Sequence, residues 1–301
     1  MGSQFWWFYD VIVVAVALVC IFIGSRKGVM KGVFGFVSVI IAAVLAFVIS
    51  GAVGDTVSSG LVCESNAKKI SESIDESTFM TKYINYLENM GYSVSIDESK
   101  LGAALDKGEG MEEAVVFYLN SVNGHSLDKK EVLLEKIHEG YGIILSDIVS
   151  KSLNEFAAVK TKEIISEKPE MMEELIPMLR DEEQLFQASL YISKNMTAPA
   201  YNIIGRLVSY LVIFAVIALG LLLGINAFFS HKEVDAIGVV SHVAGGIFGL
   251  FTAAGIVFAI AVWVRVSAIT GNNEMLFFNN DVVEKSYLFK YFYDFAMKMK
   301  G

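Results

Sequence analysis

Residues 5–54 read FWWFYDVIVVAVALVCIFIGSRKGVMKGVFGFVSVIIAAVLAFVISGAVG. Asp10 is the only charged residue before Gly24, and no charge occurs after Gly32 in this stretch. An α-helix rises about 1.5 Å per residue, so roughly 20 apolar residues cross a hydrocarbon core about 30 Å thick. Because backbone groups in lipid must find hydrogen-bond partners inside the membrane, such segments form helices rather than isolated strands. The stretch therefore predicts a transmembrane helical hairpin.

A short basic turn separates the two apolar runs and carries Arg26, Lys27 and Lys31. Positive residues are enriched at the cytoplasmic ends of membrane helices, so we interpret these three as a cytoplasmic anchor. The basic residues follow the first apolar run instead of preceding it, which differs from a secretory signal peptide. We therefore expect the first helix to be retained, with the N-terminus outside the cytoplasm.

Glycines recur at four-residue spacing around this turn, at Gly24, Gly28 and Gly32, and in a later apolar run, at Gly245 and Gly249. Small residues on one face of a helix let a neighbouring helix approach closely. We interpret these glycines as helix-packing and turn positions. A gating hinge is the alternative interpretation.

A second hairpin is predicted later in the chain, because residues 207–230 and 243–264 are also free of charge. The short turn between them, residues 231–235, is expected in the cytoplasm. The predicted fold class is an all-α membrane protein with four transmembrane helices in two hairpins, a large helical extracytoplasmic insertion and a C-terminal interfacial helix. The predicted parts are a first hairpin at 1–54, the insertion at 55–202, a second hairpin at 203–266 and an amphipathic tail at 267–301.

The insertion concentrates the acidic residues of the chain. The 301 residues carry a net charge of −9, with 54% hydrophobic and 19% charged residues, values on the membrane side of soluble averages. Residues 55–202 hold 26 acidic and 14 basic side chains, a balance of −12, so the rest of the chain sums to +3. An acidic segment of this kind argues against nucleic-acid binding.

The insertion is also predicted to be mostly helical, since it is rich in Lys, Glu and Ser with regularly spaced apolar residues. Asp128 followed by Glu131 predicts a capped helix start, and Gly140 and Gly142 lower the expectation that this helix is unbroken. A segment of this size can bury a modest core of its own, and resting on the membrane surface is the alternative. Further helices are predicted at about 65–90, 111–122, 146–166, 170–180 and 182–196.

Aromatic residues near both ends of the chain predict contacts at the membrane surface. Trp6, Trp7 and Tyr9 lie where an interfacial aromatic belt would anchor the first helix. In the tail, apolar side chains cluster mainly on one side of a helix, with most charges opposite. We favour an interfacial helix lying along the bilayer over a helix docked on the insertion. The apolar tail residues are Val282, Tyr287, Leu288, Phe289, Tyr291, Phe292, Phe295 and Met299.

Three charged residues are predicted near the outer boundary of the membrane helices: Asp10, Arg206 and Arg265. Ionisable groups at this depth normally pair or line a wet cavity. One hypothesis is that Asp10 pairs with Arg206 or Arg265 and fixes the packing of the first helix. The alternative is that the three side chains separately reach the headgroups.

Several motifs in order resemble the colicin V production protein (CvpA) family. They are Asp10, Gly24-Ser-Arg-Lys-Gly28, Lys31-Gly32, Ala46, His242-Val-Ala-Gly-Gly246-Ile-Phe-Gly249-Leu and Ser286-Tyr-Leu-Phe-Lys-Tyr291. The resemblance covers both hairpins and the tail, and the insertion is longer than the usual loop of that family. It implies a multi-pass protein of the bacterial cytoplasmic (inner) membrane, associated with toxin or bacteriocin production, secretion and envelope functions.

No pattern of catalytic, cofactor-binding or metal-binding residues is recognised. His138-Glu139 is not followed by a second histidine, so the zinc-protease pattern fails. Residues 24–32 lack the Gly-Lys-Ser/Thr ending of a phosphate loop. Adjacent acids such as Glu112 and Glu113 are interpreted as a solvated surface. Cys20 and Cys63 are not expected to form a disulfide.

The sequence therefore favours a non-enzymatic membrane anchor that presents residues 55–202 to a partner protein of the envelope. The alternative is a small-solute transporter or channel component. Transport usually needs polar groups near the bilayer midplane, and the central turns of the predicted helices offer little beyond Thr252. The expected contacts are the lipid bilayer, the envelope partner and, as an open option, further copies of the chain in a homo-oligomer.

Overall fold

The computed structural model describes residues 5–57, 60, 62–92, 94–107, 110–230 and 238–299. All regular structure in these ranges is helical. The chain divides into two compact units. The apolar unit consists of Met1–Val57 with Asn202–Gly301, and the helical domain is Ser58–Tyr201. The division lies next to the predicted limits at 55 and 202.

Thirteen α-helices follow one another along the described parts of the chain. They are α1 (Trp6–Val57), α2 (Cys63–Ser71), α3 (Thr78–Asn89), α4 (Glu98–Leu105), α5 (Met111–Asn123), α6 (Lys130–Ser152), α7 (Glu155–Glu167), α8 (Met171–Leu179), α9 (Leu185–Ile192), α10 (Ala198–Ser230), α11 (Val239–Thr270), α12 (Asn280–Glu284) and α13 (Phe289–Met297). A 3₁₀ turn, Glu182–Gln184, precedes α9, and a π-helical turn, Ser193–Thr197, links it to α10. The predicted turn at 231–235 lies outside the described residues.

Helix α1 is broken at Gly28, whose backbone angles are φ 72° and ψ 174°. The break divides α1 into a first arm, residues 6–27, and a second arm, residues 29–57. Helix α11 contacts both arms. Next to the break, Gly245 lies against Gly24 of the first arm and Gly32 of the second. Farther from the break, Gly249 lies against Cys20 of the first arm and Gly255 against Val39 of the second. Both arms therefore lie along α11 in opposite directions, which makes α1 a hairpin folded at Gly28.

Three helical stretches are long and apolar enough to cross a membrane: Trp6–Thr56, Glu182–Phe229 and Val239–Thr270. Their outer faces carry exposed aliphatic side chains such as Leu18, Val48 and Leu223. Small residues such as Ala42 and Ala46 are fully buried between the helices. Apolar surfaces both inside and outside a helix bundle indicate a membrane protein.

The helical domain has a hydrophobic core built from its own residues. Helices α3, α5, α6 and α8 supply much of it, and large side chains such as Phe79, Leu119 and Tyr141 are fully buried. Charged side chains form exposed pairs at the surface, for example Lys130 with Glu113 at 2.9 Å. The prediction of mostly helical structure is confirmed for the described residues of this domain. Cys20 and Cys63 are both free thiols.

Two predicted helices of this domain are each divided in the structure. The helix predicted at 65–90 is α2 and α3, because the Asp75 carboxylate accepts hydrogen bonds from the Ser77 amide at 3.0 Å and the Thr78 hydroxyl at 2.8 Å. The helix predicted at 146–166 ends at Ser152. There the Asn154 side chain caps α7, accepting from the amide of Ala157 at 2.8 Å. Short polar side chains that bond nearby amides compete with the helix in this way.

The start of α6 also differs from the prediction. Its N-cap is Lys129 and not Asp128, since the Asp128 carboxylate accepts from the amide of Lys129. The helix continues through Gly140, where a Cβ would lie 2.5 Å from the ring of Tyr86. The glycine therefore serves close helix packing and does not interrupt α6.

Candidate functional site

The Asp10 carboxylate binds the start of α13. It accepts hydrogen bonds from the backbone amides of Tyr287 at 2.8 Å, Leu288 at 2.8 Å and Phe289 at 3.2 Å. A helix leaves its first amides without intrahelical partners, and a carboxylate there also meets the positive end of the helix dipole. Asp10 is therefore an N-terminal cap supplied from another helix, and the hypothesised pairing with Arg265 is wrong.

Arg265 binds the opposite end of the same helix. Its side chain is only 5% exposed, and Nη1 donates to the carbonyl oxygens of Ala296 and, at 3.4 Å, Met299. A cation at a helix C-terminus is favoured by the dipole. We call Asp10, Arg265 and α13 together the tail clamp. These two charges, which one of the two sequence-based hypotheses would pair, instead bind the two ends of one short helix.

Aromatic side chains complete the docking of the tail on the apolar unit. The ring of Tyr9 stacks on Phe289 with centroids 4.6 Å apart, and its hydroxyl donates to the carbonyl of Phe277 at 2.7 Å. The Tyr293 hydroxyl donates to the Asn280 side chain at 2.6 Å, and burial raises the pKa of Tyr293 to about 12. Tyr9 is thus a buried packing residue and not part of an exposed aromatic belt.

Only one side of α13 is covered in this docking. Phe289, Tyr293 and Ala296 face the other helices, while Tyr291 and Phe295 are exposed. Trp6 packs edge-on against Tyr287, beside the Asp10 cap. Within the apolar unit the tail is therefore docked on the bundle by one face, with an aromatic face left outward.

The third boundary charge, Arg206, lies at a close crossing between α10 and the second arm. Its guanidinium is 5.1 Å from the ring centroid of Phe47. A Cβ at Gly54 would lie 2.6 Å from the backbone nitrogen of Arg206, and a Cβ at Gly205 would lie 3.1 Å from the Gly54 carbonyl oxygen. This glycine contact was not predicted. The signal was present, because the four-residue spacing of Ala42, Ala46 and Ser50 continues to Gly54.

The predicted packing glycines meet around the hairpin turn. A Cβ at Gly24 would overlap the carbonyl oxygen of Gly245, and one at Gly249 would overlap that of Cys20. A Cβ at Gly32 would lie 3.3 Å from the Cα of Gly245. A side chain at Gly24 or Gly249 would overlap backbone atoms, and one at Gly32 would be tightly packed, so the glycines let the α1 hairpin approach α11 to backbone contact.

Helix α11 also stabilises the break at Gly28. In an unbroken helix the amide of Val29 would bond the carbonyl of Ser25. Here the Val29 amide donates to the Ser241 hydroxyl at 3.1 Å, and His242 Nδ1 donates to the Ser25 carbonyl at 2.7 Å. Two side chains of α11 thus take over both ends of the missing helical bond, and neither contact was predicted.

The basic turn residues lie beside an apolar cavity. The Arg26 guanidinium is 4.7 Å from the Phe22 ring centroid, and Lys31 Nζ is 5.9 Å from that of Phe229. Lys27 and Lys31 line a cavity of about 190 Å³ between α1, α10 and α11. Two of the three residues that were predicted as a cytoplasmic anchor, Lys27 and Lys31, therefore border a partly open cavity of the bundle.

In the helical domain, Glu112 and His138 form a pair with 2.6 Å between Oε1 and Nε2. Both side chains are largely buried, so the interpretation of Glu112 as part of a solvated surface is wrong. The Tyr83 and Tyr141 side chains are buried in the core nearby, and burial raises their pKa. The pair of Glu112 and His138 joins α5 to α6. Among the described residues, no hydroxyl or thiol group forms a hydrogen bond with His138 that would make it a catalytic base.

Within the described residues, no group of three or more His, Cys, Asp or Glu side chains is arranged to hold a metal ion. Comparisons with protein-family models, with curated proteins and with solved structures found no match for this chain. The resemblance to the CvpA family therefore stays a prediction.

Proposed function

We propose that this chain is a four-span anchor of the bacterial cytoplasmic membrane that presents its helical domain to an envelope protein. The four spans are the two arms of α1, the apolar part of α10, and α11. Support for four comes from the break at Gly28, since the second arm returns along α11 after the first. The first arm, residues 6–27, and the second arm, residues 29–57, are each longer than the roughly 20 residues that a span requires.

The use of the buried charges favours an anchor over a transporter. Transporters place ionisable groups near the midplane, where they bind and release a solute. In this chain Asp10 and Arg265 both bind the backbone of α13. The hydroxyl of Thr252 is bonded to the Phe248 carbonyl at 2.9 Å. Asp10, Arg265 and Thr252 are thus engaged in holding the fold and are unsuited to a transport cycle. This observation carries the proposal.

The proposed orientation follows from the basic turn. Arg26, Lys27 and Lys31 would face the cytoplasm, with the helical domain and both termini on the outer side. Toxin or bacteriocin production and secretion are the processes that the CvpA resemblance suggests. Both assignments are parts of the proposal.

The helical domain offers a recognition surface for a partner. Phe117 on α5 is 76% exposed, although residues 115, 116, 118 and 119 are buried. Exposed aromatic side chains are frequent energetic centres of protein interfaces. The acidic balance of residues 55–202 would favour a partner with a basic surface.

A photo-cross-linking experiment on the full chain in cells tests this proposal. A cross-linking amino acid at Phe117 should capture one envelope protein, whereas the same probe at Glu167 on α7 should not. With the purified partner, Phe117→Ala should weaken binding by about tenfold or more, as truncation of an aromatic interface centre does. The transporter would be supported instead if the probe at Phe117 captures no protein in cells and the purified, reconstituted chain conducts a solute or ions.

A further inference from the structure

The cavity beside the basic turn is narrow and mainly apolar. It lies between the α1 arms, α10 and α11, with Ile23, Leu222, Ile225 and Ile256 in its wall. Its volume of about 190 Å³ is below the range of roughly 300–1,000 Å³ that is typical of pockets for compact ligands. The space therefore suits part of an elongated molecule rather than a whole compact one.

The polar groups of the wall are cationic or neutral. Lys27 is exposed and Lys31 is half-buried, and neither forms an ion pair with a carboxylate of the described residues. Asn226 also lines the cavity, and its amide has no hydrogen bond to another described residue. Two ammonium groups and an amide donor next to an apolar space match a ligand with an anionic head and a hydrocarbon part.

We propose that this cavity binds an anionic phospholipid. Lys27 and Lys31 hold the phosphate, Asn226 donates to a headgroup oxygen, and the first carbons of one acyl chain occupy the apolar space. Basic pockets between membrane helices bind anionic lipid headgroups by the same combination of forces. The inference rests on the proposed membrane location, because only an embedded chain meets lipid from the side.

Glycine positions in the wall provide a way to fill the cavity without breaking the bundle. A Cβ at Gly35, which lines the cavity, would have no atom within 4 Å. Gly35→Leu should therefore occupy the space of the acyl carbons. Gly220 on α10 also has open space around a Cβ but does not line the cavity, so Gly220→Leu is the matched control.

The test uses the purified full chain in a neutral detergent. Native mass spectrometry measures retained lipid after addition of phosphatidylglycerol or phosphatidylcholine, and thermal unfolding is followed with each lipid and with inorganic phosphate. The wild-type chain should retain one phosphatidylglycerol in preference to phosphatidylcholine. Lys27→Gln with Lys31→Gln should lower this affinity about thirtyfold, since each lysine near anionic lipid contributes about 1 kcal/mol.

Charge-matched and site-matched controls separate the outcomes. Lys285→Gln with Lys290→Gln removes the same charge outside the cavity and should retain the lipid, whereas Gly35→Leu should lose it. The inference is overturned if the Lys27/Lys31 variant retains lipid like wild type, if phosphatidylcholine binds equally, or if inorganic phosphate alone gives the full stabilisation. Extraction of the chain from membranes by alkaline carbonate would refute the membrane anchor itself. A chain that resists extraction but does not bind phosphatidylglycerol would refute only the lipid site.

Discussion

Asp10 and Arg265 hold opposite ends of the nine-residue helix α13. The carboxylate accepts from the first amide of the helix, Phe289, and from the amides of the two residues before it, and the guanidinium meets carbonyl groups at the other end. Each contact also opposes the partial charge of the helix dipole, which contributes typically about 0.3–1 kcal/mol and more in partly buried sites. A helix of this length is marginal in isolation, so the order of the tail depends on these two residues.

Asp10→Ala should loosen the tail while leaving the bundle assembled. The loss of the cap should cost about 1–2 kcal/mol, because three amides lose their acceptor. Amide hydrogen exchange of residues 289–297 should rise by about tenfold at that cost, as measured by mass spectrometry. Asp294→Ala removes an exposed carboxylate of the same helix and should leave exchange unchanged.

A charge swap checks this interpretation against a direct ion pair. Asp10→Arg combined with Arg265→Asp would restore a direct pair. In the tail clamp both swapped charges face the wrong end of α13, so the double variant should exchange faster than either single variant. Recovery to wild-type exchange would show that the two charges act on each other.

In the helical domain, Asp147 couples stability to pH. Burial acts to raise the pKa of its carboxyl group, but Lys82 at 2.6 Å and Lys151 at 2.9 Å outweigh this effect and lower the pKa. The folded state therefore binds protons less readily than the unfolded chain. The stabilisation that ionised Asp147 provides should be complete above the pKa of an aspartate in the unfolded chain, which is about 3.9. It should be lost as the pH falls through the lower pKa of the folded state.

Unfolding of the full chain at pH 6 and at pH 3 measures this contribution. The Asp147 side chain is 38% exposed, so solvent screens the pair and Asp147→Asn should cost less than about 1 kcal/mol at pH 6. The difference in the free energy of unfolding between Asp147→Asn and the wild type should be smaller at pH 3 than at pH 6. Lys82→Met should raise the pKa of Asp147, because burial remains while its closest cation is gone. An equal difference at both pH values would contradict the assignment.

At the scale of elements, the packing of α11 into the α1 hairpin organises the apolar unit. Gly249 faces the first arm at Cys20, while Gly255 faces the second arm at Val39. Without a solvent-driven hydrophobic effect between helices in lipid, close van der Waals contact provides much of their association. Small residues on two faces therefore give α11 its central position.

Gly249→Ala should destabilise the bundle, whereas Gly220→Ala should not. A Cβ at Gly249 overlaps the carbonyl of Cys20, and overpacking of this kind costs about 1–3 kcal/mol. At Gly220 the space is open, and alanine in an exposed helix is favoured over glycine by up to about 1 kcal/mol. Denaturation in mixed micelles, followed by tryptophan fluorescence, should show opposite signs. A loss of stability for both would mean that helix packing does not distinguish the two sites.

At the scale of the whole molecule, the apolar helices were predictable from the sequence because their signal is local. Twenty uncharged apolar residues suffice to indicate a membrane helix, and a glycine next to basic residues marks the turn at Gly28. The helix breaks at Asp75 and Asn154 were missed, because they are set by side chains that bond nearby backbone amides. The spacing of apolar residues does not reveal such breaks. Gly140 was misjudged because the Tyr86 ring that it accommodates lies on another helix.

The partners of the boundary charges were not predictable from the sequence. Asp10 binds amides that are 277 or more residues away, and no periodicity links such positions. Opposite charges suggested a pair, but an unpaired helix end competes equally well for a carboxylate. The bonds of Ser241 and His242 to the turn depend likewise on a tertiary contact.

The proposed orientation makes a prediction for the intact cell. In a chain with Cys20 and Cys63 replaced by serine, single cysteines are placed beside Lys27 and beside Lys129. A thiol reagent that does not enter cells should modify the probe near Lys129 and not the one near Lys27, because long domains translocate whereas basic turns stay inside. Labelling only near Lys27 would invert the orientation and remove the envelope partner from the proposal.

The tail clamp joins Asp10 to backbone amides that lie 277 to 279 residues later in the chain. Asp10 leaves the ribosome long before residues 287–289 exist, so its carboxylate is hydrated by water or lipid headgroups until α13 arrives. Docking of α13 then exchanges that hydration for hydrogen bonds from three backbone amides.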